Sequence, residues 1–168
     1  WRRLNEHPRR PLLNRATSGL YAPGSTFKMA VGMAALEAGV ISENTEFFCK
    51  GDRELGNSIF HCWRKGGHGA MNIVSALEQS CDVYFYEIAL KTGIQKIRDM
   101  ALRLGLGKVT GINLPGEKSG IIPSHEWKLA TKGVVWTPGE TVVAGIGQGY
   151  VLTTPMQLAV MTARIANG

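Results

Sequence analysis

No run of about 18 apolar residues occurs in these 168 residues, so no segment has the length and hydropathy of a membrane-spanning helix. A signal-peptide pattern is also missing, and the chain opens on Trp1-Arg2-Arg3 without an initiator Met. It is expected to be an excised part of something longer. No internal repeat is present, and no nucleic-acid motif or aromatic–basic ladder accompanies the net charge of +6. The excess positive charge owes much to Arg2, Arg3, Arg9, Arg10 and Arg15, so it reads as a solvated segment, or as attraction to an acidic polymer or anionic membrane surface. Nucleic acid is not expected as a partner. Cysteine is scarce and odd in number, at three residues, so pairing alone leaves one thiol over.

What remains is ordinary globular composition, 44% hydrophobic and 19% charged, in one domain or a large piece of one. Helix signals dominate. Trp1 to Ala22 reads as extended or loop. A first helix is expected from Ser25 to Ala38, ended by Gly39. Cys49 to Gly69 is Gly-rich and without period, a long irregular stretch that asks for a structural or functional reason. Asn72 caps a helix to Gln79, Asp82 caps another to Leu90 or Lys91, and Ile94, Ile97, Ala101 and Leu104 mark the amphipathic helix that follows. Gly111 to Pro123 is loop. Ser124 caps a short helix from His125 to Ala130, and Thr141-Val142-Val143 is the best strand candidate. Thr154, Pro155 and Gln157 make a capping box for a last helix to about Ala166.

The chemistry begins at Ser25-Thr26-Phe27-Lys28. A serine and a lysine three residues apart at a helix start share a face, with the amine beside the hydroxyl. Lys28 acts as base toward Ser25 only after losing its own proton. Burial or neighbouring cations favour that loss, and a nearby carboxylate opposes it. Ser80-Cys81-Asp82 lies in a tight break between two helices, where a hydroxyl and a carboxylate two residues apart point into one cleft. The plainer reading of that break is a helix stop followed by an Asp cap.

Together these motifs resemble the first two-thirds of the active-site signature of penicillin-binding proteins and serine β-lactamases. The likeness extends to Asn14-Arg15-Ala16-Thr17, Tyr21-Ala22-Pro23-Gly24-Ser25, Gly145-Ile146-Gly147-Gln148-Gly149 and Thr153-Thr154-Pro155-Met156-Gln157, which are similar to class B penicillin-binding proteins. Gly111 to Pro115, Ser119-Gly120 and Glu126-Trp127-Lys128 resemble the elongation-specific branch, penicillin-binding protein 2. Asp82 departs from the Asn of the wider family and fits this branch.

The resemblance implies a mainly α piece, the helical lobe of the transpeptidase fold with most of the central sheet missing. All of residues 1–168 would form one partial transpeptidase domain. It implies a peptidoglycan D,D-transpeptidase in which Ser25 is the nucleophile, Lys28 the general base, Ser80 a proton relay and Asp82 part of the same site. The substrates would be D-alanyl-D-alanine stem peptides, and β-lactams would trap Ser25. Cell-elongation membrane proteins would be partners through the parent protein, at the periplasmic face of the bacterial inner membrane.

The family's third motif is a Lys-Thr-Gly strand beyond the Gly-Gln-Gly stretch. Lys91-Thr92-Gly93 matches its letters but falls at a helix end. The chain reaches Asn167-Gly168 first, so the isolated piece is expected to be inactive or weakly active. Without a covering sheet, Phe27, Val31 and Ala34 are expected to be exposed, which predicts self-association.

Cys49, Cys62, His68 and Cys81 follow one another at steps of 13, 6 and 13 residues, unlike the close pairs of zinc fingers. A Cys3His zinc site would nevertheless staple the irregular loop to the Ser80–Asp82 turn. Some elongation-type members resemble this with acidic, His and Cys ligands. His61 is a substitute ligand. A Cys49–Cys62 disulfide with a buried Cys81 is the alternative. His7 and His125 read as surface residues. Two other functions stay open: a β-lactamase or β-lactam sensor domain, and a non-catalytic, zinc-stapled interaction module.

Overall fold

The computed structural model describes all of residues 1–168. In chain order the helices are α1 (Arg2–Asn5), α2 (Arg15–Ser18), α3 (Lys28–Glu37), α4 (Ile73–Glu78), α5 (Asp82–Thr92), α6 (Ile94–Arg103), α7 (His125–Lys132), α8 (Pro138–Gly145) and α9 (Pro155–Asn167). The strands β1 (Phe47–Cys49), β2 (Asp52–Leu55), β3 (Ser58–His61) and β4 (Gly69–Met71) form two separate antiparallel pairs, β1 with β4 and β2 with β3. The mainly α expectation holds.

Helix α5 is the axis of the lobe. Its sequence is apolar nearly all round, and Val83, Tyr84, Phe85, Tyr86, Ile88 and Ala89 are all buried, as a helix enclosed by others requires. It packs against α3, α4, α6 and α8. At Gly145 the approach of α8 is so close that a β-carbon would sit 2.5 Å from Ala89 Cβ. Three of the side-chain caps are those the sequence marks. Asn72 Oδ1 accepts from Ser75 N–H, Ser124 Oγ from Trp127 N–H, and Thr154 Oγ1 from Gln157 N–H. Asp82, however, does not cap α5. It is the first residue of that helix, and Cys81 holds the cap position without a side-chain bond. The Asp82 carboxylate is turned to Lys28 and the Trp63 N–H instead.

Four further expectations are corrected. Thr141-Val142-Val143 is helix, not strand. Glu140 accepts from the Thr137 N–H and hydroxyl at 2.7 and 2.9 Å, Pro138 starts the first turn, and these starting signals override the β-branched run. The Cys49–Gly69 stretch is ordered by the β2–β3 hairpin and closed by β1 with β4. The first 22 residues contain the single turns α1 and α2, and Tyr21 exchanges backbone hydrogen bonds with Thr153. Phe27, Val31 and Ala34 are not exposed, at 1%, 0% and 3% accessibility, because α5 and α6 already cover that side of α3. The premise of self-association through those residues is therefore gone.

An ion pair between a buried lysine and a half-buried glutamate ties α7 to α8. Lys128 Nζ donates to Glu140 at 2.6 Å and to Val135 O at 2.7 Å. Burial opposes ionisation of Glu140, but the hydrogen bonds from Lys128 and Thr137 prevail and hold its carboxyl below the ordinary 4.5. A depressed folded-state value adds stability above pH 4.5, and that stability is lost as pH falls through the folded value. Glu140→Gln is expected to cost about 2 kcal/mol at neutral pH, with the gap to wild type narrowing on acidification. Urea unfolding at a series of pH values measures it, and a gap that stays constant into the acid range contradicts it.

Candidate active site

Ser25 lies in a 3-10 turn, Gly24–Phe27, that runs directly into α3. Residues three apart eclipse in such a turn, so Ser25 and Lys28 share a side, as their spacing predicts. The two differ in environment. Ser25 is exposed, whereas Lys28 is 1% accessible. The amine reaches inward to the break between α4 and α5. Its Nζ donates to Ser80 Oγ at 3.0 Å, Ser80 O at 2.9 Å and Asp82 Oδ1 at 2.6 Å. It also lies 5.4 Å from the centre of the Phe85 ring. Ser80 Oγ in turn lies 2.8 Å from Ser25 Oγ. The amine and the Ser25 hydroxyl are therefore linked through Ser80, not side by side as the spacing alone implied.

Ser80 holds this middle position through its backbone. Its φ is +52°, a left-handed conformation that costs an ordinary residue about 1–2 kcal/mol. Residue 63, exposed on the far side, contacts both ends of the turn. The Trp63 backbone N–H donates to Asp82 Oδ2 at 3.0 Å, and its indole Nε1–H donates to Gln79 O and Ser80 O at 3.2 and 3.1 Å. No motif marks Trp63 in the sequence, where it reads only as a neighbour of Cys62.

The Gly-Gln-Gly stretch supports the turn bearing Ser25 from behind. Gly24 N–H donates to Gly147 O at 2.9 Å. Gly147 has φ +69°, and a β-carbon there would meet Phe27 Cβ at 2.7 Å, so only glycine allows this approach. Ser25 stands in the first positions of the 3-10 turn, where backbone N–H groups lack helical partners, and the positive end of α3 follows it. Lys91-Thr92-Gly93 is the end of α5, with Thr92 buried and Gly93 as the cap, far in character from an edge strand.

Beside this turn, the four residues Cys49, Cys62, His68 and Cys81 converge, with all four donor atoms within 4.8 Å of one another. The Cys49 and Cys62 sulfurs each lie 3.6 Å from His68 Nδ1. A tetrahedron with ordinary Zn–S and Zn–N bonds has S···N edges of about 3.6 Å, so the donor set fits a four-coordinate metal. No disulfide joins any two of these cysteines. Burial pushes the Cys81 thiol up to about 12, a charge cost that a coordinated cation reverses. Burial first, then Arg64, lowers His68 below its ordinary 6.5, which leaves a neutral ring able to ligate. His61 is exposed and outside the cluster; its carbonyl accepts from the Tyr86 hydroxyl at 3.0 Å. His7 and His125 are exposed, as expected.

An exposed serine, a serine-bridged buried lysine and a glycine-rich brace are the groups that acyl transfer from a serine requires. The chain is similar to known proteins over nearly its whole length. Residues 2–168 match the family model described as the penicillin binding protein transpeptidase domain. The peptidoglycan D,D-transpeptidase MrdA of Escherichia coli K12 is 43% identical over 158 residues, which cover 93% of this chain and 25% of that protein. A structure of Pseudomonas aeruginosa PBP2 in complex with WCK 5153 superposes with a TM-score of 0.93 at 44% identity, over 98% of this chain and 38% of that one. Helicobacter pylori PBP2, in a complex with MreC, gives 0.90 at 41% identity over 94% and 30%. The chain thus spans about a quarter of the length of the curated relatives it matches. It belongs to the penicillin-binding protein transpeptidase family, in the PBP2 (MrdA) branch.

Proposed function

We propose that this chain carries the nucleophile and proton relay of a peptidoglycan D,D-transpeptidase. The observation that carries the reading is the continuous line Lys28 Nζ–Ser80 Oγ–Ser25 Oγ, at 3.0 and 2.8 Å, which ends on an exposed hydroxyl. Lys28 accepts a proton only in its neutral form, which burial favours and the Asp82 carboxylate 2.6 Å away opposes. From that form the Ser25 proton passes to Ser80 Oγ as the Ser80 proton passes to Lys28. Ser25 Oγ bonds to the carbonyl carbon between the two terminal D-alanines of a stem peptide. The C–N bond breaks, and the last D-alanine leaves with the proton returned through Ser80. The amine of a neighbouring stem then attacks the ester, forms the cross-link and restores the Ser25 hydroxyl. The Ser25 N–H supplies one donor to the oxyanion. β-Lactams follow the first step only: the ring amide opens, no group departs, and the acyl-enzyme persists.

The Cys49, Cys62, His68 and Cys81 cluster would hold structural zinc, which supplies no step of the reaction and ties the β2–β3 hairpin to the turn bearing Ser80 and Asp82. The metal-dependent alternative, a stapled module without catalysis, leaves the exposed Ser25 and its relay without a purpose. A β-lactamase or sensor would share Ser25, Lys28 and Ser80, but the PBP2 likeness over the Gly147–Thr154 region supports the transpeptidase. The full-length protein would act at the periplasmic face of the inner membrane, with partners of the MreC kind. These 168 residues act as part of a transpeptidase domain; alone they are expected to acylate slowly at best, since Lys91-Thr92-Gly93 does not supply the third motif.

The test is product formation. Given a stem peptide ending in D-alanyl-D-alanine and an amine acceptor, the full-length protein is expected to release D-alanine and form the cross-linked dimer. Absence of both products with folded protein contradicts the reading.

A further inference from the structure

We infer that Trp63 is a positioning residue for the proton relay, holding the Ser80 turn in its left-handed conformation through the indole N–H. The inference rests on the acyl-transfer reading above. The backbone from Gln79 to Asp82 must place a hydroxyl between Lys28 and Ser25 while Ser80 stays at φ +52°. Two internal bonds support the turn, Ser80 N–H to Leu77 O at 3.2 Å and Cys81 N–H to Ala76 O at 2.9 Å. Neither fixes the Gln79 and Ser80 carbonyls. The Trp63 indole takes both, at 3.2 and 3.1 Å. Its backbone N–H takes the Asp82 oxygen that Lys28 does not use.

One exposed side chain thus grips the strained residue and its neighbour, and the same residue's backbone grips the carboxylate beyond them. Trp63 is 64% accessible, so packing alone does not account for a tryptophan at this place. Its only aromatic neighbour is His68, edge-on at a ring separation of 5.2 Å, which connects the grip to the cluster of Cys62 and His68. Ser80 O also accepts from Lys28 Nζ at 2.9 Å, so the indole and the lysine share one carbonyl. Without the indole, the Gln79 carbonyl loses its donor and Lys28 alone is left on the Ser80 carbonyl, so the peptide planes that aim the Ser80 hydroxyl are held less firmly.

The experiment measures acylation of the full-length protein by a fluorescent penicillin, resolved into the non-covalent dissociation constant and the acylation rate constant. Two replacements are compared with wild type. Trp63→Phe keeps an aromatic edge toward His68. Benzothienylalanine at position 63 keeps the bicyclic shape and removes only the N–H. Zinc content and the titre of reactive serine are measured on each. The expected result is an acylation rate constant lowered roughly tenfold, the effect of one hydrogen bond, with the dissociation constant, zinc content and titre unchanged. A benzothienylalanine protein that acylates within about twofold of wild type overturns the inference, whatever Trp63→Phe does. An equal rise in the dissociation constant shows that Trp63 binds the ligand and overturns it too. A wild-type protein that takes up no penicillin sinks the acyl-transfer reading first, and this inference with it.

Discussion

Ser25→Ala in the full-length protein is expected to abolish covalent penicillin labelling, and Lys28→Ala to slow it by on the order of a thousandfold. The two losses differ in kind. Removing Ser25 deletes the atom that becomes bonded, while the buried machinery behind it stays as it was. Its hydroxyl is exposed and bonded only to Ser80, so stability should move by less than about 0.5 kcal/mol. Removing Lys28 takes away the proton acceptor and also the partner of Asp82, whose side chain is 13% accessible. Breaking a buried pair from one side costs about 3–5 kcal/mol, so Lys28→Ala should be both slow and destabilised. Ser80→Ala separates the relay from a direct Ser25–Lys28 contact. If the proton passes through Ser80, its loss should approach that of Lys28→Ala. A Ser80→Ala protein that acylates at the wild-type rate shows instead that Lys28 swings to Ser25 directly. Time courses of labelling on folded protein measure all three.

Stripping metal from the full-length protein with a strong chelator is expected to release one equivalent of zinc and expose three titratable thiols. The unfolding temperature should fall by more than about 10 °C. Zinc binding is worth about 10–16 kcal/mol in small zinc-folded peptides. Here the hairpin and α5 order part of the site beforehand, so several kcal/mol is the reasonable share. The acylation rate should fall with it by roughly a hundredfold, since displacing catalytic groups by about 1 Å has that effect. The route is covalent: Cys81 lies between Ser80 and Asp82, and Cys62 adjoins Trp63. Without a cation, Cys81 remains a buried neutral thiol with its ionisation pushed up to about 12, and the four donors lose their reason to converge. Protein as purified that holds less than a tenth of an equivalent of zinc, at full activity and with free thiols, contradicts the assignment.

Much of the lobe was legible because its signals are local. Asn72, Ser124 and Thr154 cap helices within three residues of themselves, and α6 shows its apolar face in its spacing. That Ser25, Lys28, Ser80 and Asp82 belong together was legible for the same reason, as short motifs, and the structure brings the four side chains into one hydrogen-bonded group. The failures lie where distant residues decide. Helix α8 carries a Thr137-Pro138 start with Glu140 like the one read at Thr154, but the β-branched residues after it pointed to a strand, and the pairing with Lys128 was invisible. The β2–β3 hairpin is four residues a side around Gly56-Asn57, too short for alternation to show. Burial of Phe27, Val31 and Ala34 depends on how α3 meets α5 and α6. Trp63 gains its role only when the loop folds back over Ser80, across 17 residues of sequence.

The most direct test of the central claim is the address of the trapped acyl group. Full-length protein incubated with penicillin and digested with trypsin should yield one modified peptide, Ala16 to Lys28, with fragment ions placing the penicilloyl mass on Ser25. An adduct on any other residue, or none on folded protein, contradicts the assignment of Ser25 as the nucleophile.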